Sequence, residues 1–239
     1  MVSKLVVALS HKGGVGKSTI LSSVAFAIRK ETHWRVVYAD VAIDGLGSSL
    51  LAPGCRVEYG TYAFLAGVDA VQVCTMEDGA YVDTIPPGPV PKDAHLRGGR
   101  LRELVEMLRP EYNLIFVDLP GTDEAHSEVL RTAVQIADIY FLVAEPTTVH
   151  LLWRLRDAIP QDKPVFAILN KYIDHMPGKA EIERIGTSKY GRFAYVIPLE
   201  GPVYNAVAEG RLPATLSRVK FVEVIDQIGA KLQYFIAGV

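Results

Sequence analysis

Cysteine is scarce in this chain of 239 residues, which contains only Cys55 and Cys74. Two cysteines without CxxC spacing cannot form a disulfide framework, although a single disulfide stays open. Their scarcity favours a reducing cytoplasm as the compartment. Because apolar residues such as Val71 and Val73 stand beside it, Cys74 is expected to be a small buried apolar residue.

Long apolar runs and a surplus of one charge are also missing. The run Ile139–Ala144 is far shorter than the roughly 20 residues that a membrane helix requires. Residues 5–9 are too short for a signal-peptide core, so they are interpreted as the first strand. The formal charge of −2 argues against a protein that binds nucleic acid over its whole surface, because phosphate contacts need clustered Lys and Arg. A local basic patch stays open.

Short apolar runs alternate with helical patterns along the chain, in which 49% of the residues are hydrophobic. Strands are predicted at residues 5–10, 35–40, 113–118, 139–144, 164–170 and 193–198, with a weaker strand at 81–85 that stops at a proline cluster. Helices are predicted at residues 18–30, 100–108, 124–137, 149–159 and 219–236. The alternation predicts one α/β domain over residues 1–239. Its sheet is doubly wound and mostly parallel, with seven or eight strands and helices on both faces.

A glycine-rich segment at residues 11–19, His-Lys-Gly-Gly-Val-Gly-Lys-Ser-Thr, separates the first strand from an amphipathic helix. In a P-loop, glycines let backbone amides curl around phosphates, and a lysine reaches the β and γ oxygens. Lys17 fits that lysine, Ser18 the Mg²⁺ ligand, and Thr19 a contact to the α-phosphate. The alternative, a glycine-rich turn that binds nothing, is disfavoured by this lysine, hydroxyl and context. The predicted phosphate-binding residues are Gly13, Gly14, Val15, Gly16, Lys17, Ser18 and Thr19.

The generic P-loop has glycine at the position of His11 and gives no function to Lys12. The run Lys-Gly-Gly-Val-Gly-Lys-Ser resembles the deviant Walker A motif of the MinD/ParA family. The resemblance implies that Lys12 crosses a dimer interface to the nucleotide of the partner, and therefore that the chain forms a homodimer bridged by ATP. His11 is more similar to the ParA-like branch than to the MinD branch.

Two acidic residues stand at the ends of predicted strands. Phosphoryl transfer needs a metal ion and a group that positions the attacking water, both at the strand ends beside the P-loop. Asp118 comes after the apolar run at 114–117 in a Walker B pattern, and a helix cap or turn residue is the alternative. The resemblance implies that Asp118 holds the Mg²⁺ shell and that Gly121 senses the γ-phosphate. Asp40 ends the second strand.

The segment from Asp40 to Gly45 resembles switch I of the family, in which an Asp orients the hydrolytic water. Asp40 is the residue predicted for that task. Many relatives carry Asp-x-Asp there, whereas this chain has Tyr38 at the earlier position and a second acid only at Asp44, so the part played by Asp44 stays open. The predicted catalytic residues are Lys12, Lys17, Asp40 and Asp118, and the predicted metal site comprises Ser18, Asp40 and Asp118.

The base pocket is predicted from the later strands. A guanine-reading Asn-Lys-x-Asp motif is not formed, because Asn170-Lys171 is followed by Tyr172-Ile173 and the acid comes one residue late at Asp174. In relatives, the Asn matching Asn170 and the backbone around Pro198, Leu199 and Glu200 contact adenine. Ordinary cap and turn residues are the alternative for both. The resemblance covers residues 4–214, and ATP with Mg²⁺ is the expected cofactor pair.

The leading hypothesis is a cytoplasmic ATPase of the MinD/ParA type that dimerises on ATP, binds a surface or an activating partner protein, and resets after slow hydrolysis. The alternatives are an iron–sulfur or electron carrier related to the nitrogenase iron protein, and a scaffold that only binds nucleotide. Non-specific DNA binding stays open, with scattered solubilising charge as its alternative; its candidates are Arg154, Arg156, Arg184, Lys189, Arg192, Arg211, Arg218 and Lys220. Residues 233–239 carry no Lys or Arg, so direct membrane binding is not expected.

Overall fold

A computed structural model describes residues 2–42, 44–75, 82–89, 95–121 and 127–237. Within these ranges, seven strands form one sheet in the order β3-β2-β4-β1-β5-β6-β9, and every neighbouring pair is parallel. The strands β7 and β8 form a separate antiparallel hairpin. The strands are β1 (Lys4–Leu9), β2 (Val36–Asp40), β3 (Asp83–Ile85), β4 (Leu114–Asp118), β5 (Ile139–Ala144), β6 (Val165–Tyr172), β7 (Thr187–Ser188), β8 (Gly191–Arg192) and β9 (Ala194–Pro198).

Helices cover both faces of the sheet. On β1, Val6 and Ala8 point to the core under α1 and α9, while Val7 and Leu9 point to the core on the opposite face. The near-continuous apolar strands are therefore buried on both sides. The helices are α1 (Lys17–Glu31), α2 (Leu46–Leu51), α3 (Thr61–Leu65), α4 (Gly98–Leu108), α5 (Ser127–Ile136), α6 (Leu152–Ala158), α7 (Lys179–Ile185), α8 (Gly201–Ala208) and α9 (Lys220–Ala237), with short 3₁₀ turns at Val149–Leu151 and Pro213–Thr215.

The predicted doubly wound parallel sheet is confirmed, with seven strands in the described part of the chain. The weak strand is present as β3, which ends before Pro86, and the predicted helix at 149–159 begins as a 3₁₀ turn. The first residues of the predicted helix at 124–137 lie outside the described residues, as does Tyr81. No described helix is long and apolar enough to cross a membrane. The single domain over 1–239 stays a prediction.

The two cysteines correct one expectation. Cys74 is a half-buried residue bonded to Cys55 in a disulfide, with 6.4 Å between their Cα atoms, so the expectation of a buried apolar thiol is wrong. The backbone of Cys74 also pairs with Thr84 of β3. The disulfide therefore holds the segment after α2 against the edge of the sheet, and the cytoplasmic compartment stays a prediction.

The strand order places the site. The chain turns to opposite sides of the central strand β1, with β4, β2 and β3 on one side and β5, β6 and β9 on the other. In open parallel sheets, ligands bind outside the carboxyl ends of the strands at such a switch point. The loop after β1 is the glycine-rich segment at residues 11–16, so this segment lies at the expected crevice.

Candidate nucleotide site

The glycine-rich segment forms the turn between β1 and α1. Gly14 and Gly16 have φ angles of 76° and 95°, which residues with a side chain rarely adopt. A Cβ atom on Gly16 would lie 2.2 Å from the side-chain nitrogen of Asn170, so close packing also requires glycine there. Gly16 is the N-cap of α1. Because glycine has no side chain to cap the helix, the first-turn amides remain available to an anion.

Lys17 is buried at the end of this turn. Its ammonium group donates to Ser10 Oγ at 3.0 Å, and the Ser10 hydroxyl donates to the Lys12 carbonyl at 2.8 Å. Burial lowers the pKa of Lys17, while the nearby carboxylates of Asp118 and Asp44 oppose that shift. A phosphate bound at the turn would gain a charge-assisted hydrogen bond from this lysine.

A cavity of about 480 Å³ opens beside the turn, which is a volume typical of small-molecule sites. The cavity is lined by the P-loop and by the segment that runs from the end of β9 into α8. Val15 is buried and does not line the cavity. The predicted nucleotide-binding residues that do line it are Gly13, Gly14, Gly16, Lys17, Ser18, Thr19, Gly121, Asn170, Pro198, Leu199 and Glu200. The structure thus brings the P-loop and the predicted base-binding segment around one space.

Asp118 ends β4 and is fully buried behind Lys17 and Ser18. Its Oδ2 accepts a hydrogen bond of 2.8 Å from the Tyr38 hydroxyl, whereas Oδ1 has no partner of ordinary geometry among the described residues. Burial raises the pKa of Asp118, and the neighbouring Ser18 hydroxyl, Lys17 and Tyr38 oppose this. A buried carboxylate oxygen that lacks a well-formed hydrogen bond and lies near the Ser18 hydroxyl fits a hard divalent cation such as Mg²⁺.

Asp40 lies opposite Asp118 in the register of β2 and β4 and is also fully buried. Its Oδ1 accepts the Ala42 amide at 3.0 Å, and its Oδ2 accepts the Ser48 amide at 2.8 Å. Burial and the charge of Asp118 raise the pKa of Asp40 to about 8, and the bonds from Ser48 and Ala42 oppose that shift. Asp40 does not line the cavity, and both of its oxygens organise the loop after β2.

Lys12 and Gly121 occupy different positions around the P-loop. Lys12 is exposed and does not line the cavity of its own chain. Gly121 lines the cavity and packs closely on the P-loop, because a Cβ atom there would lie 3.1 Å from the Gly13 nitrogen. The residues that follow Gly121 as far as 126 lie outside the described residues.

Two residues at the end of β6 hold the P-loop from the side. The Asn170 side-chain nitrogen donates to the Val15 carbonyl at 2.8 Å, and the Lys171 ammonium donates to the Gly14 carbonyl at 2.6 Å. Lys171 also pairs with Glu145 at 2.7 Å. The Asn-Lys pair thus supports the loop whose amides face the cavity, a contact that its sequence motif did not reveal.

Glu200 has a structural task of its own. Its two carboxylate oxygens accept the backbone amides of Lys220 at 3.0 Å and Phe221 at 2.7 Å, so it caps the first turn of α9. Contact of the Glu200 backbone with a base stays a prediction. Tyr204 was not predicted as a site residue, but it is 71% exposed and lines the cavity. Its position could have been predicted, because α8 begins three residues after β9 ends.

A parallel doubly wound sheet with a phosphate-binding turn at its switch point defines a P-loop nucleotide-binding protein. The family model described as the CobQ/CobB/MinD/ParA nucleotide binding domain matches residues 6–214, and the chain belongs to this family. The match includes β2, β3, β4, β5, β6 and β9 in full and β1 from its third residue.

A candidate septum site-determining protein MinD from Emiliania huxleyi is 29% identical to this chain over 147 residues. The alignment covers 55% of this chain and 50% of that protein. The chain therefore spans about half the length of the curated relative that it matches.

Solved structures share the fold. The septum site-determining protein MinD from Pyrococcus horikoshii, complexed with Mg-ADP, has a TM-score of 0.75 at 19% identity, covering 98% of this chain and 97% of that chain. A chain of the MinC:MinD cell division protein complex from Aquifex aeolicus has a TM-score of 0.75 at 20% identity, with coverages of 97% and 96%. The pNOB8 ParA bound to nonspecific DNA has a TM-score of 0.61 at 14% identity, with coverages of 98% and 96%. At these identities the likeness shows the fold alone.

Proposed function

We propose that this chain binds Mg²⁺ and ATP in the cavity, hydrolyses the ATP slowly, and forms an ATP-bridged homodimer that acts as a positional switch in DNA partitioning or division-site placement. The P-loop geometry supports the binding step, since free helix amides, Lys17 and three glycines surround one end of the cavity. The base would lie at the other end, against β9 and α8. The Mg-ADP complex of the Pyrococcus relative supports the same class of ligand.

Ser18 and Asp118 would hold the Mg²⁺. The support is that Oδ1 of Asp118 is buried without a well-formed hydrogen bond from any described residue and that the Ser18 hydroxyl lies near this carboxylate. The ion would supply positive charge to offset the charge that develops on the phosphates. Asp40, the third predicted ligand, serves this site by fixing the loop after β2 through its two amide bonds.

Hydrolysis transfers the γ-phosphoryl group to water. A bond forms between the water oxygen and the γ-phosphorus, and the bond to the β–γ bridging oxygen breaks with its electron pair staying on ADP. The water proton ends on phosphate or in solvent. Lys17 and the P-loop amides hold the phosphates in place, and Gly121 lies where a loop could respond to the γ-phosphate. Catalysis of this reaction depends mainly on positioning and on charge.

The dimer proposal rests on the different surroundings of the two P-loop lysines. Lys17 is buried beside the cavity of its own chain, whereas Lys12 is exposed and outside it. An exposed cation next to a phosphate site can act on the nucleotide of a facing copy without being desolvated in the monomer. This placement is the one that a lysine crossing a dimer interface requires.

The test measures the mass of the protein in solution with a non-hydrolysable ATP analogue and with ADP. We expect wild type to dimerise with the analogue only, and Lys12→Ala to bind the analogue with similar affinity but remain monomeric. Lys30→Ala, which removes an exposed cation at the far end of α1, is the matched control and should dimerise. A Lys12→Ala protein that dimerises like wild type would refute the bridging lysine.

The basic side chains on the surface of the chain bear on what the dimer would bind. An activating protein partner is favoured, because half of the eight DNA candidates are already engaged. Arg156 is buried, and three others pair with acidic neighbours: Arg192 with Glu183, Arg211 with Glu209, and Lys220 with Glu223. Exposed pairs of this kind reduce the local positive potential on which non-specific DNA binding depends. DNA remains the second candidate surface.

The iron–sulfur alternative loses support from the structure. A cluster needs cysteine thiolates, and the two cysteine sulfurs of this chain are bonded to each other. The scaffold alternative is opposed by the complete set of charged groups around the P-loop. We therefore retain the hydrolysing switch as the proposed function.

A further inference from the structure

The loop after β2 carries two acidic residues whose surroundings differ. Asp40 is fully buried, and each of its oxygens accepts a backbone amide, one from Ala42 and one from Ser48. Asp40 does not line the cavity, and each of its oxygens is bonded to the backbone of its own loop. Asp40 therefore sets the shape of the loop and holds the start of α2 in place.

Asp44 lies four residues further along and is exposed at the cavity. It lines the same space as Lys17 and Ser18, and it is near enough to Lys17 to act on the charge of its ammonium group. Its Oδ1 makes a long contact of 3.3 Å with the Leu46 amide, and no described residue donates to Oδ2. One oxygen of Asp44 is thus available on the phosphate side of the cavity.

The backbone around Asp44 is turned so that this side chain faces the cavity. Gly45 follows it with a φ of 59°, and the Gly45 amide donates to the Ala42 carbonyl at 3.1 Å, which closes a tight turn. Ala42 lines the cavity with a methyl group only. Of these two lining residues of the turn, Asp44 is the one with a polar side chain.

Asp44 differs from the other acidic residue that lines the cavity in having an oxygen without a hydrogen bond from a described residue. Among the described residues, the acidic side chains that line the cavity are Asp44 and Glu200. Both oxygens of Glu200 accept hydrogen bonds from the first-turn amides of α9. Asp44 is the acid that combines an available oxygen with a position beside Lys17 and Ser18.

We infer that Asp44, rather than Asp40, accepts a hydrogen bond from the water that attacks the γ-phosphorus of ATP, and that Asp40 positions the Asp44 loop. The inference rests on the proposed ATP hydrolysis and assigns the residue that orients its nucleophile. Asp44 holds the water by one of its protons so that the oxygen lone pair faces the phosphorus. As the oxygen–phosphorus bond forms and ADP leaves with the bridging electron pair, that proton passes to phosphate or solvent.

The experiment compares Asp44→Asn, Asp40→Asn and a matched control, Asp157→Asn, which changes an exposed acid on α6 away from the cavity. Three quantities are measured for each protein: affinity for a non-hydrolysable ATP analogue, single-turnover ATP hydrolysis per bound nucleotide, and Tm. For Asp44→Asn we expect unchanged affinity and Tm and a hydrolysis rate about 100-fold lower, the usual size of a lost positioning or proton-accepting group.

Asp40→Asn should behave differently. An amide cannot accept hydrogen bonds at both ends, so one backbone amide loses its acceptor and Tm should fall. The fraction that still binds nucleotide should hydrolyse it more slowly than wild type, because the Asp44 loop is held less firmly, but faster than Asp44→Asn does. Asp157→Asn should match wild type in all three measurements.

Other results would overturn the inference. Hydrolysis by Asp44→Asn at the wild-type rate would do so, and so would loss of nucleotide affinity, because Asp44 would then be a binding residue. Asp40→Asn with normal Tm and affinity but no hydrolysis would return the task to Asp40. Wild type that binds ATP without hydrolysing it would instead overturn the proposed function itself, and with it the assignment of Asp44.

Discussion

Tyr38 brings a hydroxyl group to the two buried carboxylates at the centre of the site. It lies on β2 two residues before Asp40, and its hydroxyl donates to Oδ2 of Asp118 on the neighbouring strand. The space for its ring depends on Gly47, where a Cβ atom would lie 1.9 Å from the Tyr38 oxygen. Burial and the adjacent carboxylates raise the pKa of Tyr38, so it remains a donor throughout the physiological range.

Tyr38→Phe removes this donor while keeping the ring. A hydrogen bond to a charged group contributes about 1.5–3 kcal/mol, so Asp118 should lose its fixed orientation and ATP hydrolysis should fall roughly tenfold or more. The Mg²⁺ concentration for half-maximal activity should rise, which a purely structural tyrosine would not affect. Both are measured by titrating Mg²⁺ in an ATPase assay.

The matched control is Tyr140→Phe. Tyr140 is also buried, but its hydroxyl donates to the carbonyl of Val134 in α5, and neither residue lines the cavity. This variant should lose some stability and keep the wild-type Mg²⁺ dependence. An equal Mg²⁺ shift in both variants would show that Tyr38 contributes only to packing.

The sequence could predict the residues of the site where a local motif fixes their geometry. The P-loop glycines and Lys17 are defined by spacing within nine residues, and the structure places Lys17 and the glycines at one cavity. The contacts of Tyr38, Asp40 and Glu200 could not be predicted in this way. Their partners lie 80, 8 and 20 or more residues away, so only the folded chain determines which hydrogen bond each group makes.

At the scale of elements, the buried strands were the easiest to predict. A strand covered on both faces must be apolar throughout, and that pattern is visible for β1, β4 and β5 without knowledge of the fold. The short helices α2 and α3 and the β7–β8 hairpin gave no such signal. Elements of two to six residues have no full period and depend on tertiary contacts, such as the Thr61 and Tyr62 amides that bond the carbonyls of Pro86 and Pro87.

The Cys55–Cys74 disulfide gives an element-scale prediction. It closes a segment with a sequence separation of 19 residues that contains α3 and flanks the edge strand β3. A loop of that size corresponds to about 3 kcal/mol of stabilisation. The double variant Cys55→Ser/Cys74→Ser should therefore have a Tm lower by roughly 6–12 °C, since each kcal/mol shifts Tm by about 2–4 °C in a chain of this size.

The measurement is thermal unfolding of wild type and of the double variant, with and without a reducing agent. Reduction should lower the Tm of wild type and leave that of the variant unchanged. Nucleotide affinity should change little in either case, because neither cysteine lines the cavity. Two titratable thiols in unreduced native wild type would contradict the disulfide.

At the scale of the whole molecule, the cavity joins segments that are far apart in the chain. Its walls come from the segments at the ends of β1, β2, β4, β6 and β9 and from Phe221, the second residue of α9. A ligand that contacts all of these segments binds only the folded protein, so its binding energy adds to the free energy of unfolding. Nucleotide binding should therefore be visible as global stabilisation, and not only as a local effect.

We expect a saturating Mg²⁺–ATP analogue, at about 100 times its Kd, to stabilise wild type by about 2.7 kcal/mol and raise Tm by roughly 5–10 °C. Chelating the Mg²⁺ with EDTA should remove much of this rise. The ion that Ser18 and Asp118 would hold offsets the negative charge of the phosphates, and without it the Asp118 carboxylate would repel them. Lys17→Ala should show little rise, since the phosphates lose their buried cation. Stabilisation of Lys17→Ala equal to that of wild type would mean that the analogue binds elsewhere, outside the P-loop.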